Sequence, residues 1–276
     1  VAETPAAMMA LVGPGGAMEF YDGTLRVREA DGRIAVDGFE DQRYRELIGE
    51  GVKPWTYMKF PYRLTLGPDA GWYRVGPLAR LQNCDFIATP RAEARRQAFV
   101  AAHGGRPVHA VLATHWARMI ELLHGVEVVA DLLDDPAILG GPLIATGERQ
   151  RSGVGIIEAP RGTLIHEYEV GDDDLVTSCN LIVSTTHNNQ AMNEAVRSVA
   201  LQYLDGQTIT EPLLNHIEVA IRAYDPCLSC ATHALGQMPL AVTLRNARGE
   251  VLDHVHRSSR GDTVRGTRPH SAEAAL

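Results

Sequence analysis

Asp225-Pro226-Cys227-Leu228-Ser229-Cys230-Ala231-Thr232-His233 is the stretch on which the reading of the whole chain turns. Two thiols separated by two residues can grip one metal ion, because the short loop lets both sulfurs face one centre. A Cys-x-x-Cys pair also serves as a redox disulfide or as half of a zinc site. The redox use expects the pair to open a helix after a strand. Here the periodicity of Glu211 to Ala223 reads as a helix that precedes it. A zinc site expects a second close pair, whereas Cys84 and Cys179 stand alone.

The 276 residues suffice for one large domain or two small ones. A formal charge of −8 leaves no footprint for nucleic acid or an anionic membrane. Lys53 and Lys59 are the only lysines in an arginine-rich chain, which points to GC-rich coding rather than a phosphate-binding face. No apolar run is long enough to span a bilayer. The apolar stretch from Pro5 to Val12 lacks the basic start of a signal peptide. Four cysteines without a regular framework fit a reducing compartment, so a cytoplasmic location is expected. The first residue is Val1, which reads as a processed chain or a fragment lacking its upstream part.

Residues 1–19 carry no periodic signal. Leu25 and Val27, the Asp31-Gly32 turn, and Ile34 and Val36 read as a hairpin. Glu40 to Glu50 reads at best as a short amphipathic helix, and Lys53 to Pro68 as an irregular packed connection. Helices are expected over Pro90 to Gly104 and Val108 to Asp131. In the second, Val111, Leu112, Met119, Ile120, Leu122, Leu123 and Val126 predict a core helix of a bundle. His115, Trp116 and His124 on it read as packed or capping side chains. Strand-like pieces at Leu164 to Val170 and Asn180 to Val183 flank Gly171-Asp172-Asp173-Asp174, a solvated turn rather than a cation site. A helix over about Gln190 to Leu204 follows, and Thr210-Glu211-Pro212 starts the next. Leu240 to Leu244 and Val251-Leu252 predict a small hairpin around Gly249, and residues 257–276 are expected to be disordered.

The flanks of the cysteine stretch, Ile221-Arg222-Ala223-Tyr224 and Ala234-Leu235-Gly236-Gln237-Met238-Pro239-Leu240, complete a window of high specificity. It closely resembles the C-terminal nickel-binding signature of [NiFe]-hydrogenase large subunits, above all the bidirectional, NAD(P)-linked cytoplasmic class. Val75-Gly76-Pro77-Leu78-Ala79-Arg80 resembles the family's VGPLAR segment; alone it is a turn with a structural or solvated arginine. Ala159-Pro160-Arg161-Gly162 resembles its APRG motif; alone it is a surface loop arginine on a stiff bend. Asn180 to Asn189 resembles the turn around the iron's diatomic ligands, although many hydrogenases carry proline where Ser184 stands; alone it reads as a helix N-cap.

The resemblance implies an α+β fold, mainly α with small β-hairpins. Its helix-bundle core would be of the large-subunit type, truncated at the N-terminus. Residues 1–233 would be the C-terminal part of the catalytic domain, and 234–276 an extension removed on maturation by a cut between His233 and Ala234. Cys227 would be a nickel ligand, Cys230 a nickel–iron bridge, and His233 and the Leu181 carbonyl ligands of a magnesium ion. Arg161, Asp225 and Cys227 would be catalytic. Pro160, Arg161, Leu164, Val183, Ser184 and Thr185 would surround the iron's ligands. The implied cofactors are a Ni-Fe(CN)2CO centre and Mg, with iron–sulfur clusters, FMN and NAD(P) on partner subunits. The implied partners are a small subunit, diaphorase subunits, a maturation endopeptidase and nickel-insertion factors.

The family also carries a second Cys-x-x-Cys near its N-terminus, and none stands before Cys227. The resemblance therefore covers only about the C-terminal half of the expected subunit. The function read from it is reversible heterolytic splitting of dihydrogen with electrons passed to NAD(P). The alternatives are a deazaflavin-, ferredoxin- or heterodisulfide reductase-linked hydrogenase, or a non-catalytic large subunit like that of complex I. The presence of Cys227, Cys230 and His233 speaks against the last.

Overall fold

The computed structural model describes residues 2–141, 144, 146–204, 206, 208–227, 240–258 and 262–266. Its centre is β1 (Ala7–Val12), every residue of which is buried. Met8 faces Leu78, Leu81 and Phe99 on one side, while Ala7, Met9 and Leu11 face Tyr44, Ile156, Ile165 and Ile182 on the other. A strand covered on both faces reads as a continuous apolar run without alternation. That is why residues 1–19 show no period although they hold the central strand.

β1 lies in a four-stranded sheet of order β3-β2-β1-β6, with β2 at Thr24–Arg28, β3 at Ile34–Phe39 and β6 at Tyr73–Arg74. The β2–β3 hairpin is the expected one, with Val27 opposite Val36 and Gly32 at φ +92°. Two expectations need correction. Only Tyr44–Leu47 of the segment 40–50 is α-helical (α1), after a 3-10 turn at Asp41–Arg43, and β4 follows at once over Ile48–Lys53. The supposed irregular connection is largely β5 (Thr56–Arg63), antiparallel to β4. Pro61 obscures that strand in the sequence. It is tolerated because the pair has two strands only and a proline can face the open edge. A turn of helix, α2 (Gly67–Ala70), leads to β6.

Three helices follow: α3 (Pro77–Asn83), α4 (Pro90–Ala102) and α5 (Ala113–Leu133). In α5 the buried residues are Thr114, Ala117, Ile120 and His124, a single stripe against α3 and α4. The expected core positions Met119, Leu122 and Val126 are instead 57–61% exposed. His124 is packed as expected, its Nδ1 2.8 Å from the Thr89 hydroxyl.

The second half is a three-stranded antiparallel sheet, β7 (Ser152–Ala159), β8 (Gly162–Val170) and β9 (Val176–Ile182), then α6 (Ser184–His187), α7 (Asn189–Tyr203) and α8 (Glu211–Ala223). The acidic turn joins β8 to β9, and its Asp172 and Asp174 pair with Arg151 and Arg149. Thr210 caps α8 as the sequence predicts, its hydroxyl accepting from Leu213 N. β10 (Leu240–Arg245), β11 (Val251–Arg257) and β12 (Thr263–Gly266) form a second three-stranded sheet. β12 falls within the stretch expected to lack order. The sheet is seated on α7 and α8 through Val255, which shares a core with Val199, Leu214 and Ile217. Roughly equal use of helices and small sheets places the chain in the expected α+β class.

Candidate functional site

The site is organised by a two-residue hairpin. β7 and β8 pair up to Ala159 opposite Gly162, so Pro160 and Arg161 alone make the turn. Gly162 has φ +134°, a region that only glycine enters readily. A Cβ there would lie 2.3 Å from Val75 Cγ2 and 2.8 Å from Gly76 N. Gly76 has φ +104°, and its own Cβ would meet the Arg161 carbonyl at 3.0 Å. Two glycines thus allow backbone to touch backbone, and the start of α3 becomes the floor under the Arg161 turn. Pro77 at the first position of α3 fixes that entry.

Arg161 reaches across this floor to the end of α8. Its Nε donates to the Asp225 carbonyl at 2.6 Å and lies 3.5 Å from Asp225 Oδ2. Both side chains are partly exposed, 37% and 47%. Such a pair contributes little to stability, and its value is orientation. Asp225 has φ +50°, unusual for a residue with a Cβ, and its N–H caps the Arg222 carbonyl. This bend turns the chain out of α8 and delivers Pro226 and Cys227 beside the turn.

The third contributor is α6. Its residues do not act as an N-cap: Val183 occupies that position and no side chain caps the helix. Instead Ser184 Oγ donates to the Gly162 carbonyl at 2.7 Å, tying α6 to the hairpin. Thr185 Oγ1 accepts from Cys227 N at 3.1 Å. Asn188 accepts from Val75 N at 3.0 Å and donates to Val75 O. His187 is buried, and Tyr73 OH sits 2.7 Å from its Nδ1. Burial pushes the His187 imidazole down to about 3 and the Tyr73 phenol well above its usual range. Tyr73 therefore donates and the ring is neutral.

Beneath the hairpin lies a buried charge cluster that sequence reasoning did not single out. Arg80, 2% exposed, is paired with Glu121 at 2.7 Å and Glu158 at 2.8 Å. Although burial opposes it, the charges of Glu121 and Glu158 hold the Arg80 guanidinium above its ordinary value. Burial pushes the Glu158 carboxyl up, opposed by Arg80, Thr163 and the Leu11 N–H. The available signal was Glu158 itself, a carboxylate inside the apolar run of β7.

The remaining expected residues fall as follows. Pro160 is exposed at the tip, beside an apolar groove of about 570 Å³ walled by Leu122, Val126 and Val129 of α5 and by Asp225. Leu164 stands in β8 opposite Ile157, and Leu181 in β9 opposite His166. Cys230, His233 and Ala234 lie outside the described residues. Cys84 is buried among apolar side chains, and burial pushes its thiol up to about 12. Cys179 is exposed on β9. Among the described residues no group of three or more His, Cys, Asp or Glu is placed to hold a metal. No described helix is long and apolar enough to cross a membrane.

Residues 33–233 match the family model described as nickel-dependent hydrogenase. The chain is 47% identical over 256 residues to the beta subunit of the NAD-reducing hydrogenase HoxS of Cupriavidus necator, covering 91% of this chain and 52% of that one. It is 40% identical over 243 residues to a chain of the vhc F420-non-reducing hydrogenase of Methanococcus voltae, covering 85% and 50%. In structure it is similar to an NAD+-reducing [NiFe]-hydrogenase in the H2-reduced state, with a TM-score of 0.80, 56% identity, and 84% and 51% coverage. A [NiFeSe]-hydrogenase of Dm. baculatum, at 20% identity and a TM-score of 0.55, shares the fold over 84% and 52% of the two chains. The chain thus spans about half the length of the relatives it matches.

Proposed function

The chain belongs to the nickel-dependent hydrogenase family, and from that premise we propose that it forms the nickel-binding part of a [NiFe]-hydrogenase large subunit. That enzyme would split dihydrogen reversibly in the cytoplasm and pass electrons through iron–sulfur partner subunits to NAD(P). One observation carries the reading. Three motifs far apart in sequence meet at the base of the cysteine stretch, with Arg161 Nε 2.6 Å from the Asp225 carbonyl and Cys227 N 3.1 Å from Thr185 Oγ1.

The donor chemistry fits the group the family implies. A thiolate is a soft metal ligand, and Cys227 is partly buried with its N–H on the Thr185 hydroxyl. In this reading Cys227 holds nickel together with Cys230, and His233 and the Leu181 carbonyl hold magnesium. When bound, the nickel–iron centre supplies the electrophile that polarises dihydrogen for heterolytic cleavage.

The protein's own residues then divide the remaining tasks. The Cys227 sulfur accepts the proton. Arg161, always charged, is steered by Asp225 over the same corner. Thr185 uses a lone pair on the Cys227 N–H, which leaves its own proton to donate to a cyanide. Ser184 holds α6 to the β7–β8 turn through its hydrogen bond to the Gly162 carbonyl.

The test is made on the full-length subunit in its complex. Arg161→Lys keeps the charge and loses the planar fork. Turnover should fall on the order of 10²-fold or more, as for the loss of one preorganised donor, with nickel content near normal. Near-wild-type turnover would remove Arg161 from catalysis. The 40% identity to an F420-non-reducing hydrogenase supports a second reading, another soluble acceptor. Dihydrogen-driven dye reduction without NAD(P) reduction would favour it.

A further inference from the structure

Arg80 touches the catalytic turn from behind. Its guanidinium spends every N–H on fixed partners. Nε donates to Glu121 Oε1 at 2.7 Å, and one terminal nitrogen to Glu121 Oε2 at 2.7 Å and the Pro160 carbonyl at 3.2 Å. The other donates to Glu158 Oε2 and the Ala159 carbonyl, both at 2.8 Å. Glu158 is anchored in turn, because its Oε1 accepts from Leu11 N at 3.0 Å and Thr163 Oγ1 at 2.7 Å. One planar fork therefore grips two consecutive carbonyls, those immediately before Arg161.

We propose that Arg80, held by Glu121 and Glu158, is a positioning residue that sets the direction in which Arg161 leaves the β7–β8 turn. The Pro160 carbonyl belongs to the peptide plane shared with Arg161. Fixing that plane, with Gly162 locked against Val75 and Gly76, leaves the Arg161 side chain one direction of departure, toward Asp225. Glu121 lies on α5 in the same groove wall as Asp225, so α5 bears on the turn through the fork. A lysine at position 80 has three donors on a flexible stem and cannot meet two carboxylates and two carbonyls in one plane. The catalytic part of this inference rests on the function proposed above.

The experiment uses the nickel-loaded full-length subunit in its complex, with Arg80→Lys, Arg161→Lys and the double variant. Amide hydrogen exchange at Arg161 and Gly162 reads the turn directly. Exchange should quicken at least tenfold in Arg80→Lys, and unchanged exchange overturns the proposal. The infrared cyanide bands should move in the same direction in Arg80→Lys as in Arg161→Lys. Turnover should fall at least tenfold in Arg80→Lys, because small misplacements of a reacting group are costly. It should fall no further when Arg80→Lys is added to Arg161→Lys. Losses that multiply in the double variant would mean that Arg80 acts independently, and would refute the positioning role. Faster exchange with turnover untouched in both single variants would instead refute the role assigned to Arg161 and leave the structural device standing. Where Arg80→Lys yields too little loaded subunit, Glu121→Gln loosens the same fork from the α5 side, and the same outcomes apply.

Discussion

Gly162→Ala should be among the most damaging single-methyl additions to this chain. The added Cβ would stand 2.3 Å from Val75 Cγ2 and 2.8 Å from Gly76 N. The second neighbour is backbone and cannot rotate away. Placing an L side chain at φ +134° costs about 1–3 kcal/mol, and forcing a methyl into packed surroundings about 1–3 kcal/mol more. The sum, about 4 kcal/mol, is a large share of the roughly 5–15 kcal/mol that holds a typical domain folded. Gly153→Ala is the internal control. It lies on the partner strand β7 with nothing within 4 Å of its added Cβ, so its effect should run from neutral to a gain of about 1 kcal/mol. Urea unfolding followed by circular dichroism separates the two. With a slope near 3 kcal/mol per M, Gly162→Ala lowers the midpoint by about 1 M. Midpoints for the two variants within about 0.3 M of each other would refute the close backbone approach of the α3 entry to the turn.

Two further outcomes are expected. His187 is held near 3 when folded and titrates near its ordinary value when unfolded. Between those values only the unfolded chain binds the proton, so stability is present above about pH 6.5 and lost as pH falls, at about 1.4 kcal/mol per unit. A denaturation midpoint that is flat from pH 7 to pH 5, or a slope untouched by His187→Gln, would contradict the buried neutral ring. Maturation should cut the full-length subunit between His233 and Ala234, releasing the sheet that is seated on α8 through Val255. Intact mass with and without nickel in the medium reads this, and an active, nickel-loaded subunit still ending at Leu276 would refute it.

The parts of this protein that were legible in sequence are those whose chemistry is local. Thr210 and Pro212 announced α8, Asp31-Gly32 announced a hairpin, and the cysteine stretch carried its own flanks. The Arg161–Asp225 pairing was legible only through resemblance, because 64 residues separate the partners. β1 was illegible because burial on both faces erases the alternation that marks a strand. The outer face of α5 was misread because periodicity shows that Leu122 and Val126 are apolar, not which element would cover them. Arg80 reads in sequence as either a structural or a solvated arginine, and nothing local decides between them because its partners lie 41 and 78 residues away. Only the fold shows two carboxylates waiting for it.

Glu158 has a consequence for the way the chain collapses. Its partners come from the beginning, the middle and the near neighbourhood of the chain: Leu11 lies 147 residues away, Arg80 78, and Thr163 five. The β7–β8 hairpin can form early with the carboxylate still in water, since its own closure is short. Docking on β1 without α3 in place would instead strand an ion in an apolar interior, at a cost of several kcal/mol. A one-residue slip of β7 against β8 would move Glu158 to the opposite face from Thr163 and meet the same penalty. The carboxylate thus acts as a proofreading mark. Compact arrangements that bury the hairpin are tolerated only when the first strand, the α3 arginine and the correct register arrive together.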